Sequence, residues 1–209
     1  YPKFNNLEFQ RNIEKSILKY SYQKMLINAI NASYIFSNQT VGKNTRAHYL
    51  SLRGESAGAF LRGYSNIMNL ERDSSGAYQL FGTDYAQYMK ADFDFRYYQP
   101  VNSSDRIAYR VFAGIGMPYK NSRSMPFVRR YFCGGSYDIR GWQPRSIGPG
   151  SSIDTSGFVF PMQTGDMKIQ GSIEYRFQLI GKLEGAMFID AGNIWNVKEN
   201  DPAGSLFRL

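Results

Sequence analysis

Residues 87–98 have the sequence QYMKADFDFRYY, and this stretch decides the fold class because apolar and charged side chains alternate along it. Successive side chains of a β-strand point to opposite faces of a sheet, so a period of two predicts a strand with one apolar and one charged face. An amphipathic helix would instead repeat its apolar residues every three or four positions. The stretch therefore predicts a long β-strand.

The same period continues in other parts of the chain. It predicts strands at 18–36, 46–55, 106–117, 166–178 and 182–192, whereas 4–15 fits either a loop or a short helix. The sequence therefore indicates an all-β chain of about six strands. On the apolar face we expect Met89, Phe93, Phe95, Tyr109, Val111, Ile173, Tyr175 and Met187. The single histidine, His48, is expected in a lumen or a turn.

The connections between these strands alternate in length. Those at 38–44, 100–104 and 179–181 are short, and those at 56–84 and 118–164 are long. Short turns on one side and long loops on the other are typical of an antiparallel, up-and-down transmembrane β-barrel. A soluble sandwich is the alternative. The charged polar face and the aromatic residues, 16 Tyr, 15 Phe and 2 Trp, favour the membrane barrel.

Composition excludes several classes of protein. One cysteine, Cys133, cannot form an intramolecular disulfide, and one cysteine with one histidine cannot build a tetrahedral zinc site, so no metal or cofactor is expected. No apolar stretch is long enough for a membrane-spanning helix. A Ser-His-Asp order and a phosphate loop are both missing, so the sequence does not predict an enzyme.

The formal net charge of +8 makes an anionic partner admissible. The predicted long loops contain several arginines, among them Arg62, Arg72, Arg123, Arg129 and Arg145. We expect them to meet lipopolysaccharide phosphates rather than nucleic acid, because no aromatic nucleic-acid-binding module surrounds them.

The long connection 118–164 is the main candidate for function, since loops of this length are uncommon without one. It contains RRYFCGG at 129–135 and IRGW at 139–142. Gly134, Gly135, Gly148 and Gly150 are expected to form sharp turns that let the loop fold back on itself.

Two motifs resemble a known family. Ile139, Arg140, Gly141 and Trp142, after the Gly134–Gly135 pair, are similar to the sixth extracellular loop of the BamA/TamA outer-membrane assembly superfamily. The stretch FIDAG at 188–192, which contains Phe188, Asp190 and Gly192, resembles the strand motif of that superfamily. The resemblance covers 16–195. It implies that Arg140 folds into the barrel lumen and pairs with Asp190.

Strand parity adds Glu174, because Glu174 and Asp190 fall on the same charged face. A guanidinium between two carboxylates would relieve their repulsion. Phe188 interrupts the charged face, so we expect it to pack under the inserted loop, and we expect Ile139 and Trp142 to find apolar partners there. The alternative is that Arg140 is a solvated loop residue and that Asp190 forms a turn at the end of a strand.

The resemblance implies a non-enzymatic factor of the bacterial outer membrane that inserts other barrel proteins. Its expected partners are outer-membrane lipid and lipopolysaccharide, unfolded outer-membrane proteins and accessory lipoproteins. A polypeptide-translocating pore and the barrel of a patatin-like hydrolase fusion are the alternatives. Residues 1–209 are expected to form a single barrel-domain fragment without a periplasmic repeat domain. Its sheet should be open, with edges near 16–36 and 182–194.

Overall fold

The computed structural model describes residues 24–40, 44–68, 72, 76–152 and 163–197. Six strands form one antiparallel sheet in chain order: β1 (Ala29–Ser37), β2 (Ala47–Ala57), β5 (Tyr88–Pro100), β6 (Arg106–Pro118), β7 (Met167–Ile180) and β8 (Leu183–Trp195). The loop between β2 and β5 contains a helix and a small hairpin: α1 (Ala59–Ile67), β3 (Gln79–Leu80) and β4 (Thr83–Asp84). A 3₁₀ turn, Phe127–Arg129, lies in the long loop after β6. The predicted up-and-down meander is confirmed.

The first predicted strand is wrong at its start. Residues 18–23 lie outside the described residues, as do 4–15, and β1 begins only at Ala29. Leu26 bonds to neither side of the main sheet. Its backbone instead pairs with the segment before β5, accepting from the Ala86 N–H and donating to the Asp84 carbonyl, both at 2.9 Å. Leu26, although it has the spacing of a strand residue, therefore forms an isolated β-bridge with Tyr85. The long connection predicted at 56–84 is likewise not a plain loop, because it contains α1, β3 and β4.

The register places all predicted apolar residues on one outward face. Tyr109 lies opposite Ile173, Tyr175 opposite Met187, and Phe93 opposite Leu52. The opposite face, here called the polar face, carries alternating charged side chains: Arg53, Glu55, Lys90, Asp92, Asp94, Arg96, Arg110, Lys168, Glu174, Arg176 and Asp190. A sheet with an apolar outer face and a charged inner face is the wall of a membrane barrel.

Aromatic side chains line the outward face near the short turns. His48 stacks on Tyr97 with ring centroids 4.9 Å apart, and Tyr97 stacks on Tyr109 at 6.0 Å. Tyr175 and Phe177 form a second stacked pair at 5.4 Å. His48 is therefore neither in a lumen nor in a turn, because its parity in β2 groups it with Leu50 and Leu52. A band of aromatic side chains near the ends of the strands is characteristic of the membrane–water interface.

The sheet is open in the part of the chain that the structure describes, where β1 and β8 each pair with a single strand. This agrees with the expected partial barrel. No helix within the described ranges is long and apolar enough to cross a membrane. The long loops after β2 and β6 leave the sheet at the same end, where the register aligns Ala57, Tyr88 and Pro118.

Candidate functional site: the inserted loop on the polar face

The loop after β6 folds back across the polar face and is closed by its own backbone pairing. Tyr131 and Gly165 exchange two hydrogen bonds, of 2.8 and 2.9 Å, and Cys133 pairs with Ile147. These bridges bring both ends of the segment that contains the IRGW motif close together. We call the segment 119–152 the inserted loop.

The predicted turn glycines all have positive φ: Gly134 at 101°, Gly135 at 107°, Gly148 at 73° and Gly150 at 59°. Two of them also lack room for a side chain. A Cβ at Gly134 would lie 2.1 Å from the Gln143 carbonyl oxygen, and one at Gly148 would lie 2.4 Å from Asn193 Oδ1. Both positions therefore require glycine for backbone conformation and for space.

Side chains of three strands donate hydrogen bonds to carbonyl oxygens of the inserted loop. The pairs are Lys90 to Arg129 at 3.1 Å, Lys168 to Phe132 at 2.9 Å, Gln170 to Asp138 at 2.9 Å and Arg110 to Tyr137 at 3.2 Å. A loop has no ladder of its own to satisfy these carbonyls. The polar face supplies the donors that would otherwise be missing.

Arg140 makes the densest set of contacts. Its Nε and Nη2 bond the two carboxylate oxygens of Asp190, each at 2.8 Å, and its backbone N–H donates to the same carboxylate at 3.1 Å. Nη1 donates to Glu174, and Nη2 also reaches Ser172 Oγ at 3.3 Å. A bidentate guanidinium–carboxylate pair is among the strongest hydrogen-bonded pairs in proteins.

This ion pair is largely shielded from solvent. The Asp190 side chain is 3% exposed and that of Arg140 is 23% exposed. The hydrogen bonds to Asp190 raise the pKa of the Arg140 guanidinium, so it remains charged. Glu174 also accepts from Arg176, and the Arg140 guanidinium lies 3.6 Å above the centre of the Phe188 ring. Phe188 thus contacts the loop through a cation–π pair, although it remains 47% exposed.

The residue before Arg140 supplies an apolar anchor. Ile139 is buried with Tyr131, Cys133 and Ile194. Gly192 makes this packing possible, because a Cβ there would lie 3.1 Å from Ile139 Cδ1 and 2.7 Å from the Ile169 carbonyl oxygen. The inserted loop is therefore held by an ion pair and an adjacent apolar contact.

Trp142 is not part of this anchor, contrary to the expectation from the sequence. Its side chain is 60% exposed, and only its backbone carbonyl is used, accepting from the Gly135 N–H at 2.9 Å. Gly141 has a φ of +86°, which turns the chain between Arg140 and Trp142. The loop is therefore anchored through Ile139 and Arg140, whereas Trp142 stays exposed.

Sequence reasoning missed several contacts of the inserted loop. Lys168 Nζ lies 2.6 Å from Asp138, Arg130 lies 3.2 Å from Asp166, and the Tyr131 hydroxyl donates to Asp92. Strand parity had placed Lys168 on the charged face, but it could not name a loop partner.

Burial also raises the pKa of the Cys133 thiol to about 12, so this thiol is unreactive at neutral pH.

The loop arginines are more engaged than free surface cations. Arg62 and Arg72 lie over the Tyr78 ring at 4.5 and 4.4 Å, and Arg145 lies over two phenylalanines. Arg129 is 3.7 Å from Glu55. Nowhere in the described part of the chain are three or more His, Cys, Asp or Glu side chains placed to hold a metal ion. We call the contacts of Arg140 with Asp190 and Glu174, which hold the inserted loop on the polar face, the ionic latch.

Comparison with known proteins identifies the family. The model of the Omp85 superfamily domain matches residues 27–208, which include every strand and the whole inserted loop. The chain belongs to the Omp85 superfamily. Its strands form part of an outer-membrane β-barrel. Among solved structures it is similar to "BamA from Haemophilus ducreyi lacking POTRA domains 1-3", with 17% identity and a TM-score of 0.45. The match covers 80% of this chain and 42% of that BamA chain, so this Omp85 domain spans less than half of its length.

Proposed function

We propose that this chain is part of the barrel of a non-enzymatic factor that inserts other barrel proteins into the bacterial outer membrane. Membership of the Omp85 superfamily supports the assembly and translocation class. The outward apolar face and the interfacial aromatic band support a position in the bilayer. The anchored loop is the observation that favours insertion within this class.

The Arg140 anchor connects the loop to two neighbouring strands, because Glu174 and Ser172 belong to β7 and Asp190 belongs to β8. Further contacts join the loop to β5 and β6 through Lys90 and Arg110. The loop thus braces four strands from the inside. An insertion factor needs such a brace, since it must present an unpaired strand edge in a membrane where each unsatisfied backbone group costs several kcal/mol.

Translocation of an unfolded polypeptide is the competing function in the same class. The inserted loop lies against the polar face and is bonded to β5, β6, β7 and β8. Passage of a chain along this face would require the loop to leave it. Insertion requires only that the loop stay in place, and the shielded anchor favours that state.

Expected partners follow from this proposal. Unfolded outer-membrane proteins would be the substrates and lipoproteins the accessory subunits. Lipopolysaccharide phosphates would meet Arg62 and Arg72 of the loop between β2 and β5, whose guanidinium groups lie over the Tyr78 ring.

The test uses the full-length protein that carries this chain, reconstituted in vesicles and supplied with an unfolded outer-membrane barrel protein. If the protein is an insertion factor, its presence in the vesicles should raise the rate at which the substrate acquires its heat-modifiable, folded form. Arg140→Ala should lower that rate, and Arg96→Ala should not, because its partner Asp94 keeps Arg110 at 2.9 Å. A soluble passenger that becomes protected inside the vesicles, with no folded substrate in the membrane, would instead establish translocation.

A further inference from the structure

Helix α1 carries its apolar side chains on the outside. Phe60, Tyr64 and Ile67 are spaced four and three residues apart, so they lie on one face, and Met68 follows just beyond the helix. Phe60 is 75% exposed and Ile67 is 80% exposed. An amphipathic helix on a globular protein normally turns such a stripe towards the core.

The opposite side of α1 faces the protein and is polar. Ser65 is buried against the Tyr85 hydroxyl at 3.2 Å and donates to the Leu61 carbonyl at 2.7 Å. The Tyr78 hydroxyl donates to Asn66 at 3.3 Å, and Arg62 lies over the Tyr78 ring. The helix therefore turns its polar side towards the protein and its apolar side away from it. The apolar stripe is left exposed to the surroundings of the protein.

The position of α1 points to lipid. Only Gly58 separates it from the end of β2, so it starts at the edge of the membrane-facing sheet. At that edge the outward face exposes Ile30 of β1, Met89 of β5 and Met117 of β6. The register places these three residues in one row across the sheet, together with Ser56 of β2. The exposed apolar surface thus extends to the base of the helix.

The charge of α1 also suits a bilayer. Its sequence, AFLRGYSNI, has one cation, Arg62, and no carboxylate. A helix with an apolar face and no negative charge is compatible with anionic lipid, and tyrosine is favoured at the membrane–water boundary.

We propose that α1 lies in the outer leaflet, parallel to the membrane plane, with Phe60, Tyr64 and Ile67 in the boundary between headgroups and acyl chains. It anchors the loop between β2 and β5 to lipid beside the barrel wall. A lipid-bound α1 is compatible with insertion and with translocation, so its test is independent of either activity.

The experiment places a polarity-sensitive fluorophore on Ile67→Cys, and separately on Phe60→Cys, in the full-length protein. The native Cys133 is fully buried and stays unlabelled in the folded protein. The labelled protein is reconstituted in vesicles of phosphatidylcholine and phosphatidylglycerol, with and without brominated acyl chains. Both labels should emit at shorter wavelength than in water and lose emission in the brominated vesicles.

Val128→Cys is the matched control, because Val128 is equally exposed and apolar but belongs to the inserted loop. Its label should emit as in water and should be insensitive to bromine. Water-like emission from both α1 labels would overturn the lipid site. Short-wavelength emission without bromine quenching would overturn it too, because it would mean that protein covers the helix.

Discussion

Replacing Arg140 by alanine tests the ionic latch most directly. The variant removes both hydrogen bonds from the guanidinium to Asp190 and the one to Glu174. Glu174 keeps Arg176, but Asp190 keeps only the Ser172 hydroxyl and the backbone N–H of residue 140. Breaking a fully buried ion pair costs about 3–5 kcal/mol, and an exposed pair is worth about 0–1 kcal/mol. With Asp190 shielded and Arg140 partly exposed, we expect about 2–3 kcal/mol.

That energy should appear as a larger population of the detached loop. Each 1.4 kcal/mol changes an equilibrium about tenfold, so the detached state should become about 30- to 140-fold more populated. Trypsin can measure this, because Arg129, Arg130 and Arg145 are cleavage sites inside the inserted loop. When opening and closing are fast relative to cleavage, the cleavage rate follows the population of the open state.

Three variants complete the measurement. Arg96→Ala removes an arginine from the same face and should leave the trypsin rate close to that of the unchanged protein, because Asp94 retains Arg110. The exchange of Arg140→Asp with Asp190→Arg should recover part of the loss, since a pair of opposite charges is restored. Heat-modifiability should first confirm that each barrel is folded. An Arg140→Ala protein that is folded and no more sensitive to trypsin than the Arg96→Ala protein would refute the latch.

Three further predictions concern the inserted loop. Gly192→Ala should increase trypsin cleavage, because its Cβ would meet Ile139 and the Ile169 carbonyl, whereas Gly171→Ala has open space and should not; equal rates would contradict this packing. Tyr131→Phe removes a hydrogen bond to Asp92 and should lower the free energy of unfolding by about 1.5–3 kcal/mol in a denaturant titration. Cys133, whose pKa is raised to about 12 by burial, should resist maleimide at pH 7 until denaturant is added. Rapid labelling of the folded protein would show that the loop does not cover it.

The strands were predictable from the sequence because a sheet imposes a strict period of two on side chains. The segments 87–98 and 106–117 predicted β5 and β6 to within two residues at either end. The same parity placed Glu174 and Asp190 on the same face of the sheet, the polar face. The start of β1 was not predictable, because Leu26 has the spacing of a strand residue but bonds to the segment before β5.

Loop contacts were harder to predict, since a loop has no period that assigns a face to each residue. Trp142 illustrates this: it is two residues from Arg140 in the same motif, but Arg140 is bonded to the polar face whereas Trp142 is 60% exposed. Helix α1 was also missed. Its apolar stripe is short, and it lies between two strands in a segment whose length alone indicated a loop.

One signal for the path of the loop was nevertheless present in the strands. Gly114, Gly116 and Gly192 occupy polar-face positions where charged side chains would be expected. A Cβ at Gly114 would lie 2.7 Å from the Tyr131 ring, and one at Gly116 would lie 2.8 Å from Met125 Cε. The inserted loop thus crosses β6 over two glycines and reaches β8 over a third. Charged residues flank this track and bond the loop carbonyls, so glycines on an otherwise charged inner face indicate where the backbone of an inserted segment rests.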